Sequence, residues 1–505
     1  MIQYAMNAGT GRRARRPAAD ATIVLFGGTG DLASRRIVPA LYRLERSGAL
    51  PRTTRIVGLA RRALSDGEYR AMLRESTRDA LPAADWDEAS WTRFASWVDY
   101  LRGDVSDPAA YALLKARYFS DTASDGVFYL ACTPDRFGDV ADGLADTGLA
   151  GKRSGASGYR RVLVEKPFGT DLASARALNR LLHERFDEAD IFRVDHYLGK
   201  DAVQNLLYFR FANTMFEPMW NRRYVERVEV TVAESGGIGR RGGYYDDAGA
   251  TRDMLQSHLM QLFCLTAMEP PEDLSAESVR EQKVNLLRDV PGMAPAEADL
   301  RGVRGQYRPG FAPDGSALPG YRAEPFVRPD STTETFVALR LDVDNMRWRG
   351  VPFILRTGKA LSRRSTEITL YFRPSARGMP GQDPDANRLI LRIQPEEGLL
   401  LGFNVKAAGG EALEREELVG MLRDSASRTP GPYERLIGDA LAGDSTLFIR
   451  FDETEEAWRI VDPILAAWRA DGASLRGYPA GGDGPDVSSL LDPGLRSSDA
   501  AAAGA

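Results

Sequence analysis

The chain has 505 residues, 43% hydrophobic and 27% charged, which is too much sequence for one core and has the make-up of a globular protein of two or more domains. A formal net charge of −5 argues against a general affinity for nucleic acid. No window approaches the apolar length that spans a bilayer, and Cys132 and Cys264 show neither CxxC nor metal-ligand spacing, so a soluble cytoplasmic protein with buried thiols is expected.

The only dense basic run is Arg12, Arg13, Arg15 and Arg16, and Pro17-Ala18-Ala19-Asp20 follows it where an export signal would be apolar. Residues 1–19 therefore read as a disordered leader. The run TIVLF at 22–26 reads as a buried strand, followed by Gly27, Gly28, Thr29, Gly30, Asp31, Leu32 and Ala33 and then a helical pattern. Gly28, Gly30 and Ala33 fit the spacing of a dinucleotide-binding turn, whose glycines let backbone N–H groups and a helix N-terminus approach a pyrophosphate. The next strand, at 55–60, ends in Arg61-Arg62 with no acid to take a ribose 2′-hydroxyl, which favours a 2′-phosphate and hence NADP. Two plain surface arginines there would leave the cofactor undecided.

Ser65 to Glu68 forms a capping box opening a helix. Residues 127–131 and 161–165 are further buried strands, and Lys166 follows the second of them, directed at the cleft by Pro167. Residues 191–194 give the last strand of this half and deliver Asp195, His196, Tyr197, Gly199 and Lys200 to the same edge. With a helix starting near His196, His196 and Lys200 share a face and converge on one anion, and Gly199 lets that anion near the backbone. Asp195 is left free to orient another group.

Beyond residue 200 a helix with Val203, Leu206, Leu207 and Phe211 leads into strands at 225–232, 335–341, 368–372, 388–393 and 446–450. Their alternation points to a largely antiparallel sheet with helices on one side and a face that self-association could cover. His258 lies on an apolar helix at 251–261. Alone it reads as a core histidine; with a carboxylate partner it reads as a general base. The fold expected is an N-terminal Rossmann-type doubly wound parallel sheet (20–194), a larger C-terminal α+β domain on a mostly antiparallel sheet (195–480), and a disordered tail (481–505).

Seven ordered motifs carry a resemblance: GGTGDLA at 27–33, EKPFG at 165–169, RVDHYLGK at 193–200, FANTMFEPMWNR at 211–222, RGGYYDDAGATRDMLQSHLMQ at 241–261, VPFILRTGKAL at 351–361 and GDSTLFIR at 443–450. Through them the chain resembles the glucose-6-phosphate dehydrogenase family. The resemblance implies oxidation of C1 of glucose 6-phosphate to the lactone with reduction of NADP, the first step of the pentose phosphate pathway, without a metal, in a homodimer or homotetramer. It implies His258 as base and Asp195 as its orienter. It implies His196, Tyr197 and Lys200 on the 6-phosphate, and Lys166, Glu234, Asp253, Lys359, Arg364 and Gln394 around the sugar phosphate. Gly27 to Leu32, Arg61 and Lys166 match cofactor positions. NAD or another hexose phosphate, and a non-catalytic regulatory relative, are the competing readings.

Four departures stand out. Phe137 replaces a tyrosine near the cofactor, and Glu234 is followed by Ser235-Gly236-Gly237. Ser365, Thr369 and Gly402 stand where some members hold a second NADP through basic side chains, so that second site is expected to be missing. The family pattern fades beyond Tyr478.

Overall fold

The computed structural model describes residues 21–491 apart from 52, 122, 152–157, 313, 375–385, 411, 422–429 and 472–474. The expected leader lies outside the described residues. Six strands, β1 (Ala21–Phe26), β2 (Arg55–Ala60), β3 (Val98–Arg102), β4 (Asp125–Leu130), β5 (Arg160–Glu165) and β6 (Ile191–Val194), form an all-parallel sheet in the order β3-β2-β1-β4-β5-β6. Every residue of β1 and β4 is buried, as a parallel sheet covered on both faces requires. Helices such as Val38–Arg46, Asp66–Ala80 and Phe137–Asp146 supply the cover, and Ser65 and Glu68 close the expected capping box on the second of these. Strand order reverses between β1 and β4, so the crevice where ligands of such sheets bind opens beside residues 27–32.

The second sheet contains β7 (Val225–Ala233), β8 (Gly302–Arg308), β11 (Phe336–Leu341), β12 (Phe353–Gly358), β13 (Ser365–Phe372), β14 (Arg388–Gln394), β15 (Gly398–Lys406), β16 (Leu413–Met421) and β17 (Leu475–Pro479). A two-stranded pair, β9 (Gly310–Phe311) and β10 (Ala317–Leu318), lies apart from it. The order of the nine is β16-β15-β14-β13-β7-β12-β11-β8-β17, antiparallel except at β7/β12 and β8/β17. Helical segments Thr251–Leu259, Met260–Ala267 and Ala276–Arg288 bury their apolar side chains with this sheet, giving a core that includes Leu255, Phe263, Phe353 and Val230. No helix among the described residues is long and apolar enough to cross a membrane.

Three local expectations are corrected. Residues 446–450 are not a strand: Asp444 Oδ1 accepts hydrogen bonds from the Thr446 N–H (3.0 Å) and hydroxyl (2.6 Å), which turns the chain, and only Ile449 bridges to Arg193. Residues 195–200 are turns rather than helix, and the helix there is Asp201–Phe211. The tail boundary at 481 falls too early, because Ser362 N–H bonds Gly482 O at 2.8 Å and Leu490 is fully buried. Residues 492–505 lie outside the described residues.

The helix Pro432–Ala442 and Phe448 pack on the first sheet's side, with Leu436, Ile437 and Ala440 joining Leu41, Tyr42 and Phe192 in one core. A segment expected in the second domain thus ties back onto the first.

Candidate active site

Asp195 follows the last residue of β6 directly, and this position commits it to the carboxyl edge of the sheet. Its Oδ1 accepts the Tyr197 N–H at 2.9 Å and lies 2.6 Å from His258 Nδ1. Both side chains are 1% exposed. His258 comes from Thr251–Leu259, a π-helical stretch, and wide turns of this kind often mark functional positions. The helix before it kinks at Gly249 (φ 69°), where a Cβ would stand 2.5 Å from Glu334 Oε1. The same oxygen accepts the Thr251 N–H at 3.0 Å, so a residue with a side chain at 249 would displace the group that anchors the start of the histidine's helix.

Lys166, one residue past β5, places its Nζ 2.9 Å from His258 Nε2, 2.7 Å from Asp253 O and 3.4 Å from Asp253 Oδ1. An ammonium donates, so Nε2 is the acceptor and the proton of the neutral ring sits on Nδ1, toward Asp195. The electrostatics agree. Burial lowers the His258 pKa, and the Lys166 charge adds to this against the opposing pull of Asp195, leaving it below the ordinary histidine range. Burial alone would raise the Asp195 carboxyl, but the hydrogen bond from His258 and the nearby Lys166 charge hold it well below the usual carboxylate range. Asp253, despite burial that raises it, is held at about 2 by Lys166, Lys359 and Arg241. The result is a neutral imidazole backed by an ionised carboxylate, the arrangement of a general base.

Around this centre lies a cationic, aromatic wall. Tyr197 stacks on His258 (centroids 4.2 Å apart, planes at 21°), and Lys200 Nζ sits 3.2 Å from the Tyr197 ring centre. Burial lowers the Lys200 pKa to about 8. His196 meets His258 edge-on at 4.8 Å, and burial, with the Lys166 and Lys200 charges nearby, pushes its pKa well down. Lys359, just past β12, pairs with Glu234, just past β7. Arg364 is exposed ahead of β13, close enough for its charge to act on both Tyr197 and Lys200. Gln394 ends β14 opposite Thr366.

Apart from Gln394, the sequence-expected sugar-phosphate residues therefore fall in one neighbourhood, but not by the expected local geometry. His196 and Lys200 converge through a turn. Gly199 admits protein backbone rather than an anion, since a Cβ there would stand 2.6 Å from Pro432 O. Asp195, His196 and His258 also bring ligand atoms within 4.8 Å of one another, a spacing that metal sites use. Here both nitrogens of His258 are engaged, one by a carboxylate and one by an ammonium, which suits proton transfer.

On the cofactor side, residues 27–30 form the turn after β1 and residues 31–32 open the helix that follows, and Gly27 adopts φ 89° with Ala131 O where a Cβ would lie, 2.7 Å away. This turn, at the point where strand order reverses, fits a dinucleotide pyrophosphate. Arg61 projects from the end of β2 with 79% of its side chain exposed, and Asp104, past β3, approaches it to 4.0 Å. Phe137 is 1% exposed and belongs to the core.

Sequence reasoning missed four neighbours. Tyr433 lies parallel to His196 at 6.2 Å, Arg241 reaches Asp253 at 3.9 Å, Tyr129 donates to Glu165 at 2.6 Å, and Asp104 stands by Arg61. Only Arg241 carried a signal, at the head of the 241–261 motif.

Two family models cover most of the chain: the NAD binding domain of glucose-6-phosphate dehydrogenase matches residues 24–205, and the C-terminal domain of glucose-6-phosphate dehydrogenase matches 207–492. The chain belongs to the glucose-6-phosphate dehydrogenase family. It is 42% identical over 490 residues to the glucose-6-phosphate 1-dehydrogenase of Mycolicibacterium smegmatis, covering 95% of this chain and 97% of that one. It is 40% identical over 474 residues to that of Rhizobium meliloti, covering 93% and 95%. Among solved structures, a glucose-6-phosphate dehydrogenase in complex with its substrate glucose-6-phosphate matches with a TM-score of 0.84 at 37% identity, over 94% of this chain and 98% of that one. A glucose-6-phosphate 1-dehydrogenase from Mycobacterium avium matches at 0.80 and 37%, over 94% and 97%.

Proposed function

We propose that this protein oxidises C1 of D-glucose 6-phosphate to 6-phospho-D-glucono-1,5-lactone with NADP as acceptor, opening the oxidative pentose phosphate pathway. The observation that carries the reading is the Asp195–His258–Lys166 chain, a neutral histidine with an ionised carboxylate behind it at 2.6 Å, in a member of this family. Residues 27–32, with Arg61 for the 2′-phosphate, would hold a nicotinamide dinucleotide, which would supply the hydride acceptor. The protein supplies position and proton transfer. His258 Nε2 takes the C1 hydroxyl proton as the C1–H hydride departs and the C1–O double bond forms. Lys166 yields its place on Nε2 to that hydroxyl while keeping its bond to Asp253 O. Asp195 stabilises the imidazolium. Lys200, His196 and Tyr197 hold the 6-phosphate, Arg364 and Gln394 border it, and Glu234, Asp253 and Lys359 hold the sugar. Proton transfer of this kind needs no metal.

Asp104 beside Arg61 is the specific observation favouring some use of NAD, because it offsets the charge that a 2′-phosphate would meet. Self-association is supported by the edge strand β16, where Leu418, Val419 and Met421 are more than half exposed. The free thiols Cys132 and Cys264 suit a reducing cytoplasm.

The test is reduced-nicotinamide absorbance with purified protein, glucose 6-phosphate or glucose, and NADP or NAD. NADP reduction with the phosphorylated sugar alone is expected. No reduction with either cofactor would sink the reading.

A further inference from the structure

We propose that a pocket at the far edge of the second sheet, framed by Arg308, Arg322 and Arg476, is a second anion site that binds a phosphate-bearing metabolite. The cavity measures about 340 Å³, within the size range of small-molecule sites, and lies between the ends of β8 and β17 and the turn Tyr321–Ala323. Tyr307, Pro309 and Leu475 complete its wall.

Three features argue for an anion. None of the three guanidiniums forms an ion pair among the described residues, and all three arginines are exposed, so their charge faces the pocket and solvent in a chain that as a whole is acidic. Like charges gathered at one cavity repel, and an anion between them removes that cost. Each guanidinium is also steadied from one side, which leaves the rest of its donor fork available. Arg322 Nε donates to Gln306 Oε1 at 3.1 Å and Ser331 O at 2.9 Å, and Arg476 Nη1 donates to Asp486 O at 2.9 Å. The Arg308 guanidinium lies directly on Gly477, where a Cβ would stand 2.0 Å from its Nε, so any side chain at 477 would evict it. Planar forks held in this way suit phosphate oxygens, and three positive charges match a diphosphate better than a single carboxylate.

The pocket is wired to the sugar side of the candidate active site. Tyr307 OH accepts the Ile238 N–H at 3.2 Å, in the loop after Glu234. Tyr478, next to Gly477, donates to Lys359 O at 2.7 Å. An anion that clamps the paired ends of β8 and β17 therefore acts on the two loops that hold the Glu234–Lys359 pair. The second-NADP positions of some family members are elsewhere: Ser365 and Thr369 are on β13 and Gly402 is on β15.

The test is calorimetric titration of pyrophosphate and of ADP into the full-length protein and its Arg308→Gln/Arg476→Gln variant, all with NADP saturating the first site. Wild type should bind at least one probe, and the double variant should weaken that binding by roughly tenfold or more, as loss of charge-assisted contacts predicts. Arg322→Gln provides a second variant if the double one does not fold. ADP binding tighter than pyrophosphate assigns the apolar wall to a nucleoside, and equal binding assigns the site to the phosphate groups alone. Undiminished binding in the folded variants, or no binding to wild type up to roughly 10 mM, overturns the proposal. The link to Lys359 rests on the proposed activity: ADP should shift the KM for glucose 6-phosphate in wild type and not in the variant. An unmoved KM with binding intact overturns the link, and the binding result stands whether or not the protein oxidises glucose 6-phosphate.

Discussion

Replacing Asp195 by Asn isolates the charge behind His258 from its geometry. The amide oxygen of Asn can still accept from the Tyr197 N–H and from His258 Nδ1–H, the two bonds that Oδ1 makes now at 2.9 and 2.6 Å. What disappears is one negative charge, roughly 4 Å from the centre of the positive charge that the imidazole acquires in the transition state. At the effective dielectric of a protein site this interaction is worth about 4 kcal/mol. At 1.36 kcal/mol per decade, kcat should fall roughly a thousandfold. The KM for glucose 6-phosphate should change little, because the proposed phosphate wall of Lys200, His196 and Tyr197 is untouched. The new NH2 group would sit where buried Asp195 Oδ2 has no partner, so a stability loss of about 1–3 kcal/mol is expected as well. Steady-state kinetics at 25 °C, with thermal melting as the fold control, provide the assay. A folded variant whose kcat stays within roughly tenfold of wild type would refute the assignment of Asp195 to the imidazolium.

Three further outcomes follow from the same geometry. Because the pKa of Lys200 is lowered to about 8, its ammonium is lost as pH rises through that value; the KM for glucose 6-phosphate should climb above pH 8 in wild type, and Lys200→Ala should flatten the profile at a high KM. The His258 pKa is depressed, so the imidazole stays neutral below the ordinary histidine range, and the acid limb of kcat/KM should fall on the acid side of that range; a limb on its alkaline side would mean that another group titrates. Lys283 and Glu453 form an ion pair at 2.7 Å with both side chains at most 1% exposed, so Lys283→Met alone should cost about 3–5 kcal/mol in denaturant unfolding, while adding Glu453→Met should recover most of it.

What the sequence discloses about this fold depends on how local the cause is. The first sheet is legible because its strands are short apolar runs buried on both faces, each followed by a turn or helix signal, as at residues 22–33. The run TLFIR at 446–450 has the same apolar character and fails as a strand, because Asp444 turns the chain and Phe448 goes into the first domain's core against Phe192. The site is legible in its residues rather than in its local shape. His196 and Lys200 were expected to meet by helical spacing, yet the helix waits until Asp201 and the turn before it is closed on one side by Pro432. Tyr433 and Asp104 could not be foreseen, since each reaches its neighbour from a separate part of the chain: Tyr433 comes from a helix over two hundred residues beyond His196, and Asp104 from the loop after β3.

The placement of Asp195 explains why so much of the chain is committed to holding two domains together. The chain leaves the dinucleotide half at Val194, and the next residue is the proposed orienting carboxylate, while its histidine arrives 63 positions later on a helix packed with the second sheet. A 2.6 Å contact between two such parts would be lost to a small rigid-body shift, and misplacement of about 1 Å at a reacting group can cost about a hundredfold in rate. The returning segment 432–450 opposes that shift. Arg435 pairs with Asp201 at 2.6 Å, Glu434 with Arg43 at 2.9 Å, and Ile449 bridges to Arg193, two residues before Asp195. These ties join the segment to the start of the second domain, to the first helix of the dinucleotide domain and to β6 itself. Loosening them, without touching any residue of the site, should therefore lower kcat before it lowers the affinity for either ligand.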